Sequence, residues 1–459
     1  MAILTADAPL VALRMATPVR SRVGPLLRPA SVICAALVLL IVGNLGRVPI
    51  AAVDPTKDAP VLFNDGVVLV ILVAGLLAGI HARAWRIDAP GLLALAFAAV
   101  GGLAAILAVP RFGLTGTELV FSLAYLARWF AYFGIYLVAI NTLQEGDVPA
   151  VWRALETAIL VFAAFGIVQS LFLPGFAQIV QPQGGWDVQG RRLVSTFLDP
   201  NMAGALIVIG LLVVAARLSA GVAVPRWKPL VLITALLLTL SRGSIVAFAA
   251  GGLVILAARG VSRRLLRLAA AVVLLSLPFV PALLALARSF NKLRIDASAL
   301  ARVTLWLRGV AVFADNPVLG VGFNTYGFVQ RAYGWDLRNT PRFGIDGGLL
   351  FIAVMTGLVG LALYLGMVGL VVRRCRRIWR DTARGAEDRG LAIGVAAATA
   401  AILVHSLFVN SLLLPLIMEP LWILWALTFV MRGPTRAGAA FVPGPRVASF
   451  SFALRAHSR

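Results

Sequence analysis

The chain is short of charge. Only 13% of its 459 residues are Asp, Glu, Lys or Arg, about half the roughly 25% of a soluble domain. That deficit excludes a soluble enzyme or a nucleic-acid-binding protein. Lysine is almost missing: Lys57, Lys228 and Lys292 are the only three, and every other basic residue is Arg. Codon usage accounts for this as well as a need for forked phosphate contacts does. Two cysteines, Cys34 in the first apolar stretch and Cys375 in a basic segment, have no His beside them. A disulfide framework, a zinc site and a thiol nucleophile are thereby excluded. Of the three histidines, His81 falls in a cytoplasmic loop, His405 in an apolar segment and His457 in the tail. No histidine base is expected in an outer loop. No pair of acidic residues has metal-ligand spacing, so the expected chemistry uses neither metal nor cofactor. No small-residue cleavage site follows the first apolar segment, and Arg14, Arg20, Arg22 and Arg28 precede it. The start therefore reads as an uncleaved helix with its N-terminus inside.

What the chain has in excess is apolar sequence, 61% of all residues. A helix needs about 20 apolar residues to cross a hydrocarbon core ~30 Å thick. Segments at 30–46, 66–80, 91–109, 119–140, 154–173, 197–216, 229–240, 244–258, 265–287, 347–372, 391–409 and 412–431 predict an all-α polytopic membrane protein of about twelve helices. The pair 229–240 and 244–258 is short for two crossings. A re-entrant hairpin or one broken helix fits equally.

Twelve spans with the N-terminus inside place 26 basic residues in cytoplasmic segments and 14 outside, eight of these 14 in one loop. Lys and Arg mark cytoplasmic loops, so both termini are expected in the cytoplasm. The division is a cytoplasmic segment 1–29, spans over 30–287, a long periplasmic loop 288–346, spans over 347–431 and a cytoplasmic tail 432–459. Long loops translocate largely regardless of charge, and positive charge on the outer side suggests an anionic partner. Within that loop, Leu300, Val303, Leu307, Val310 and Ala314 share one helical face, with Arg302 and Arg308 off it. Asp315-Asn316-Pro317 stops the helix. Either it lies on the outer membrane surface or it packs over the bundle.

Four features converge on the outer face. Arg191 and Arg192 precede Asp199-Pro200-Asn201 at a helix start, where free N–H groups favour an anion unless Asp199 or Asn201 caps them. Arg242, in Ser241-Arg242-Gly243-Ser244, stands at a break between apolar segments. There it is either a functional charge or a snorkelling turn residue. The long loop adds Arg294, Arg302, Arg308, Arg331, Arg338 and Arg342. Asp346 opens the next span, as a base whose pKa burial raises or as a solvated helix cap. Arg128 lies inside a span, with Glu118, Glu156 or a lipid phosphate as its expected partner. Glu419, in the last span, is assigned no role. Arginine forks on phosphate oxygens point to a lipid-linked phosphate or diphosphate, whose departure needs charge stabilisation more than acid catalysis.

The blocks RRLVSTFLDPNMAG, LTLSRGSIVAFAAG, RVTLWLRGVAVFADNPVLGVGFNTYG and DGGLLFIAVMTGLVGLALYL resemble, in that order, the O-antigen polymerase and ligase superfamily. They span residues 191 to 365, somewhat over a third of the chain. The resemblance implies a GT-C-like membrane glycosyltransferase at the periplasmic face of the bacterial inner membrane, with an undecaprenyl-diphosphate-linked glycan as donor. By motif position it implies that Arg191 or Arg192, and Arg242, grip the diphosphate, with Arg302 or Arg308 assisting. Ligases of the family commonly carry a His-Asn pair before the span that reads here GGLLFIAVMTG. Asn339 or Asp346 stands in its place, which favours the polymerase or exopolysaccharide branch and makes Asp346 the candidate base. A ligase moving finished glycan onto a lipid or protein acceptor is the alternative enzyme. A flippase for lipid-linked sugars is the alternative outside enzymes, although the two halves show no repetition of the kind many transporters have. The tail FVPGPRVASFSFALRAHSR suggests a contact for a chain-length regulator.

Overall fold

The computed structural model describes residues 29–54, 57–82, 85–182, 189–262, 264, 296–335 and 344–431. Eleven of the twelve apolar segments are helical: α1 (Pro29–Leu39, continued by a 3-10 turn to Gly46), α2 (Phe63–Ala82), α3 (Ala89–Phe112), α4 (Gly116–Thr142), α5 (Val148–Phe172), the short α6 (Phe176–Val180) between spans, α7 (Pro200–Ser219), α8 (Trp227–Thr239), α9 (Arg242–Ala258), α10 (Asp296–Asp315) and α11 (Tyr326–Val329) in the long loop, α12 (Gly348–Arg380), α13 (Ala386–His405) and α14 (Pro415–Val430). The twelfth segment, 265–287, lies outside the described residues, as do the N-terminal arginines and the tail.

Among the described residues, fewer than twelve helices have the length of a full crossing. Six are long and apolar enough to cross a membrane: Ala89–Phe112, Gly116–Thr142, Glu145–Phe172, Pro200–Ser219, Gly348–Arg380 and Ala386–His405. Pro29–Leu39, Phe63–Leu77, Trp227–Thr239, Arg242–Ala258 and Pro415–Val430 are shorter apolar helices. At 1.5 Å per residue, α8 with 13 residues is about 20 Å long. α8 and α9 are separate helices: Leu240 takes a left-handed backbone (φ 49°) and Ser241 caps α9 by accepting from the Ser244 amide.

The all-α expectation misses one small element. Arg47–Asp54 and Lys57–Leu62 form an antiparallel hairpin, with Arg47 opposite Leu62 and Asp54 opposite Lys57. Asp54-Pro55 is the turn signal between them. α12 also runs past its apolar part to Arg380, so Cys375 is buried in a helix and not in a basic loop.

The core is built on small residues. α7 packs against α8, α9 and α13, while α3 packs on α12 and α4 on α14. Gly394 faces Val213, Gly390 faces Arg217 and Gly251 faces Leu212, the close backbone approach that joins helices in membranes. These pairs fix direction. Gly204 meets Ser244 and Ser244 meets His405 at one end of the bundle. At the other end Glu156 binds Lys228 at 2.5 Å and Arg217 at 3.5 Å, and Arg217 reaches Glu387 at 2.9 Å. There too Asp88 caps α3 and accepts from the Tyr136 hydroxyl at 2.5 Å. Burial pushes the Asp88 carboxyl above its usual range despite those hydrogen bonds.

Part of the long loop packs within the bundle. Beyond Asn316 the chain is buried from Gly320 to Gln330, because it turns into the bundle on three left-handed residues, Gly320, Gly322 and Asn324. The amides of Val321 and Gly322 donate to the carbonyls of Val354 and Met355, and Phe323 donates to Gly101. α12 opens at Gly357 (φ 63°) to receive it, and Leu358 and Val359 donate back to Pro317 and Val318. Gly101 lies eleven residues before the end of α3, so the segment descends about 16 Å below that end. Each amide from Gly320 to Thr325 finds an acceptor, the condition for irregular backbone at depth.

α10 also differs from its expectation. Leu305, Gly309 and Val312 are its buried face, with Gly309 against Ile345 and Leu350, while Leu307 and Val310 point outward. The periodicity finds one apolar stripe, but the face that packs is another, centred on Gly309. Arg128 pairs with neither expected carboxylate: it forks onto Asp65 at 2.7 and 2.8 Å, while Glu118 takes Arg331 at 2.6 Å and Glu156 takes the Lys228 and Arg217 contacts above. Asp65 is a first-turn acid of α2 that also accepts from the Leu62 amide, which sets it facing α4. Arg128→Met alone is expected to cost about 2–4 kcal/mol, and Arg128→Met with Asp65→Asn clearly less, because the single change leaves a charge unpaired. Thermal unfolding midpoints in detergent measure both.

Candidate functional site

The site is assembled from the same ends of α7, α9 and α13. Arg242 is the first residue of α9. It is half-buried, and its guanidinium makes no contact with the described residues. The amides of Arg242 and Gly243 lie in the first turn of α9, where helix geometry provides no acceptor. A cation with unused N–H groups beside it is a stabiliser for an anion.

The two loop arginines separate in role. Arg192 donates through Nε to the Thr239 carbonyl at 2.9 Å and through Nη1 to Gln189 at 2.9 Å, and the next amide, Leu193, donates to Leu238. Its guanidinium thus bolts the 189–193 turn to the end of α8, just before Arg242. Arg191 is exposed, with no side-chain partner among the described residues. Of the pair, Arg191 is the one left to meet a ligand.

The start of α7 is closed as an anion site. The Asp199 carboxylate accepts from the amides of Asn201 and Met202 at 2.8 and 2.9 Å, so the capping reading of Asp199 is the one realised. What stays open is the Asn201 side chain. Its Oδ1 accepts from Ser241 Oγ at 2.8 Å, while its amide nitrogen makes no bond within the described residues.

His405 is the residue that sequence reasoning passes over. It is the last residue of α13, fully buried, with Nε2 3.1 Å from Ser244 Oγ and Nδ1 2.5 Å from Ser411 Oγ. His405 lies in a helix and not in a loop, as its apolar segment leads one to expect; what hydropathy does not show is that α13 ends there, so that residues 406–409 are turn and not span. The signal is present in His405-Ser406 followed by Asn410-Ser411, a polar run inside what hydropathy reads as a continuing apolar segment.

Asp346 is half-buried. Its carbonyl accepts from the Trp306 indole. The following amides, Gly347 and Gly348, donate to Asn410 Oδ1 at 3.1 Å and to the Ser406 carbonyl at 2.5 Å. Asp346 is thus held against the turn that follows His405. Arg308 stands 5.0 Å over the Trp335 ring, and Arg128 serves Asp65 as described. Arg302 is in α10, but its side chain lies outside the described residues, as do Arg294, Arg338, Asn339 and Arg342.

Chemically, the arrangement among the described residues offers one unengaged arginine at a helix start, a second on an adjoining turn, an amide donor in the first turn of α7 and a carboxylate on a neighbouring turn. No curated protein matches the chain. Residues 230–365 match the family model Wzy_C, described as O-antigen ligase, a stretch that contains Arg242, the buried loop segment and Asp346. The chain is a multi-pass membrane protein in which residues 230–365, somewhat under a third of its length, are similar to the O-antigen ligase family of membrane polymerases and ligases.

Proposed function

We propose that the protein is the polymerase that joins undecaprenyl-diphosphate-linked repeat units into O-antigen or exopolysaccharide. Its membrane is then the bacterial inner membrane, with both termini in the cytoplasm, and the Arg242 end of the bundle faces the periplasm. The observation that carries this is the Arg242 guanidinium on the first turn of α9, unengaged by any described residue. The adjoining turn presents Arg191, and the opposite end of the bundle is closed by ion pairs.

In the reaction, a sugar hydroxyl oxygen attacks the anomeric carbon of the donor glycan. The bond from that carbon to the diphosphate oxygen breaks, and its electron pair leaves with the diphosphate. Arg242 and Arg191 bind the oxygens on which that charge grows, and preorganised charge of this kind lowers the barrier most where a good leaving group departs. Asp346 takes the proton of the attacking hydroxyl. This division of labour asks nothing of a metal ion. The ligase is the second reading, favoured by the description of the matching family, and would send the same donor glycan to a different acceptor.

Cells lacking the protein test this directly. Single repeats persisting on the lipid carrier at the outer face, with long chains absent, is the expected profile. Long chains stranded on the carrier would make it a ligase. Repeats confined to the cytoplasmic face would mean that the protein moves glycan and does not join it.

A further inference from the structure

We infer that His405 is a positioning residue for the diphosphate site, acting through a buried hydrogen-bond chain that aims the Asn201 amide at the ligand. The inference rests on the diphosphate reading of that site. The chain runs Ser411–His405–Ser244–Ser241–Asn201, through contacts of 2.5, 3.1, 2.9 and 2.8 Å. It ties the turn after α13 to the first turns of α9 and α7. Ser411, His405, Ser244 and Ser241 are all buried, so water does not compete for these bonds.

The chain has one direction. Each serine hydroxyl has one proton to give. Ser241 gives its proton to Asn201 Oδ1, so Ser244 gives to Ser241. Ser244 Oγ then accepts from His405 Nε2, and His405 Nδ1 accepts from Ser411. A neutral histidine with its proton on Nε2 satisfies every step. At the far end the consequence falls on Asn201: with Oδ1 occupied, its two N–H groups are aimed away from Ser241. They are unused among the described residues, beside Arg242, and suited to an anionic oxygen. Without the chain an asparagine amide can turn over and present its oxygen to the same anion.

Close packing indicates that the chain is built in. A Cβ on Gly204 would stand 2.3 Å from Ser244 Oγ, so glycine at that position makes room for the hydroxyl. A chain serving only to glue α9 to α13 would need neither Asn201 at its end nor a half-exposed amide there.

The test is binding of undecaprenyl diphosphate to the full-length protein in nanodiscs, with thermal unfolding measured on each variant. Asn201→Asp keeps the oxygen that accepts from Ser241 and replaces the donors by a negative charge. It is expected to weaken binding at least tenfold with the unfolding midpoint nearly unchanged. Ser411→Ala and His405→Leu are expected to weaken binding about threefold to tenfold, and His405→Gln, which can both accept and donate, to recover most of it. The KM for the lipid-linked donor should rise in each weakened variant more than kcat falls. Arg242→Ala separates the two levels of inference. If it leaves binding unchanged, the diphosphate site itself is wrong. If it abolishes binding while Asn201→Asp, Ser411→Ala and His405→Leu bind as the parent protein does, the site stands and the positioning role of His405 is overturned.

Discussion

Arg242→Ala is expected to remove long glycan chains from the cell surface while leaving the protein at its normal abundance. The guanidinium makes no contact with the described residues, so its removal should move stability by no more than about 0.5 kcal/mol. Its loss to catalysis is of another order. A donor aimed at developing charge in a water-poor site typically accounts for about a hundredfold to a thousandfold in rate. Arg242→Lys keeps the charge but not the planar fork, and should fall between, about tenfold down. Arg192→Ala should show the reverse balance. That guanidinium is spent on Thr239 and Gln189, so its removal costs about 1–2 kcal/mol of stability and damages activity only as far as the turn loosens. Glycan size profiles of complemented cells, read beside protein abundance in isolated membranes, separate the two arginines. Equal losses of activity at unchanged abundance would contradict the assignment.

The sequence makes this contrast visible only halfway. Charge scarcity and apolar length identify a polytopic membrane protein, and Arg242 stands out because an arginine at a break between apolar segments needs a reason. Arg191 and Arg192 are indistinguishable in sequence, since what divides them is the carbonyl end of a helix more than forty residues away. His405 is hidden by its own surroundings. Apolar residues precede it, Leu407, Phe408 and Val409 follow Ser406, and hydropathy cannot tell the last turn of a helix from the turn beyond it. The ion pair of Arg128 with Asp65 escapes for a related reason. The hairpin at 47–62 sets where α2 begins, and that decides which acid faces α4. The fold's buried loop segment leaves a sharper trace in Gly320-Val321-Gly322, where two glycines predict a tight turn. That the turn enters the bundle depends on Gly357, which lies inside an apolar run and looks there like any other glycine of a membrane helix.

That glycine is where the fold is most exposed to a single methyl group. Gly357 has φ 63°, and a Cβ built on it would stand 2.0 Å from the Val318 carbonyl oxygen and 2.2 Å from the carbon behind it. Both atoms are backbone, and both belong to the segment whose own amides are committed to Val354 and Met355. Neither partner can yield: α12 cannot close into a regular helix without expelling the segment, and the segment cannot retreat without orphaning its buried amides, at about 1–3 kcal/mol each. Gly357→Ala is therefore expected to lose more than about 4 kcal/mol, the range in which backbone strain and broken buried networks act together. In cells it should fail to accumulate in the membrane. Gly369→Ala, on the same helix, is the matched control, because a Cβ there meets nothing within 4 Å, and it should accumulate normally. Abundance in isolated membranes, followed by thermal unfolding of whatever survives extraction, measures the difference. The consequence reaches the site, because α12 begins at Gly348 and the residues just before it hold Asp346 against the turn after His405. A variant that closes α12 through Gly357 would shift that start as well. If Gly357→Ala instead accumulated and kept full activity, the buried course of residues 320–330 would be wrong, and this part of the long loop would lie off the bundle.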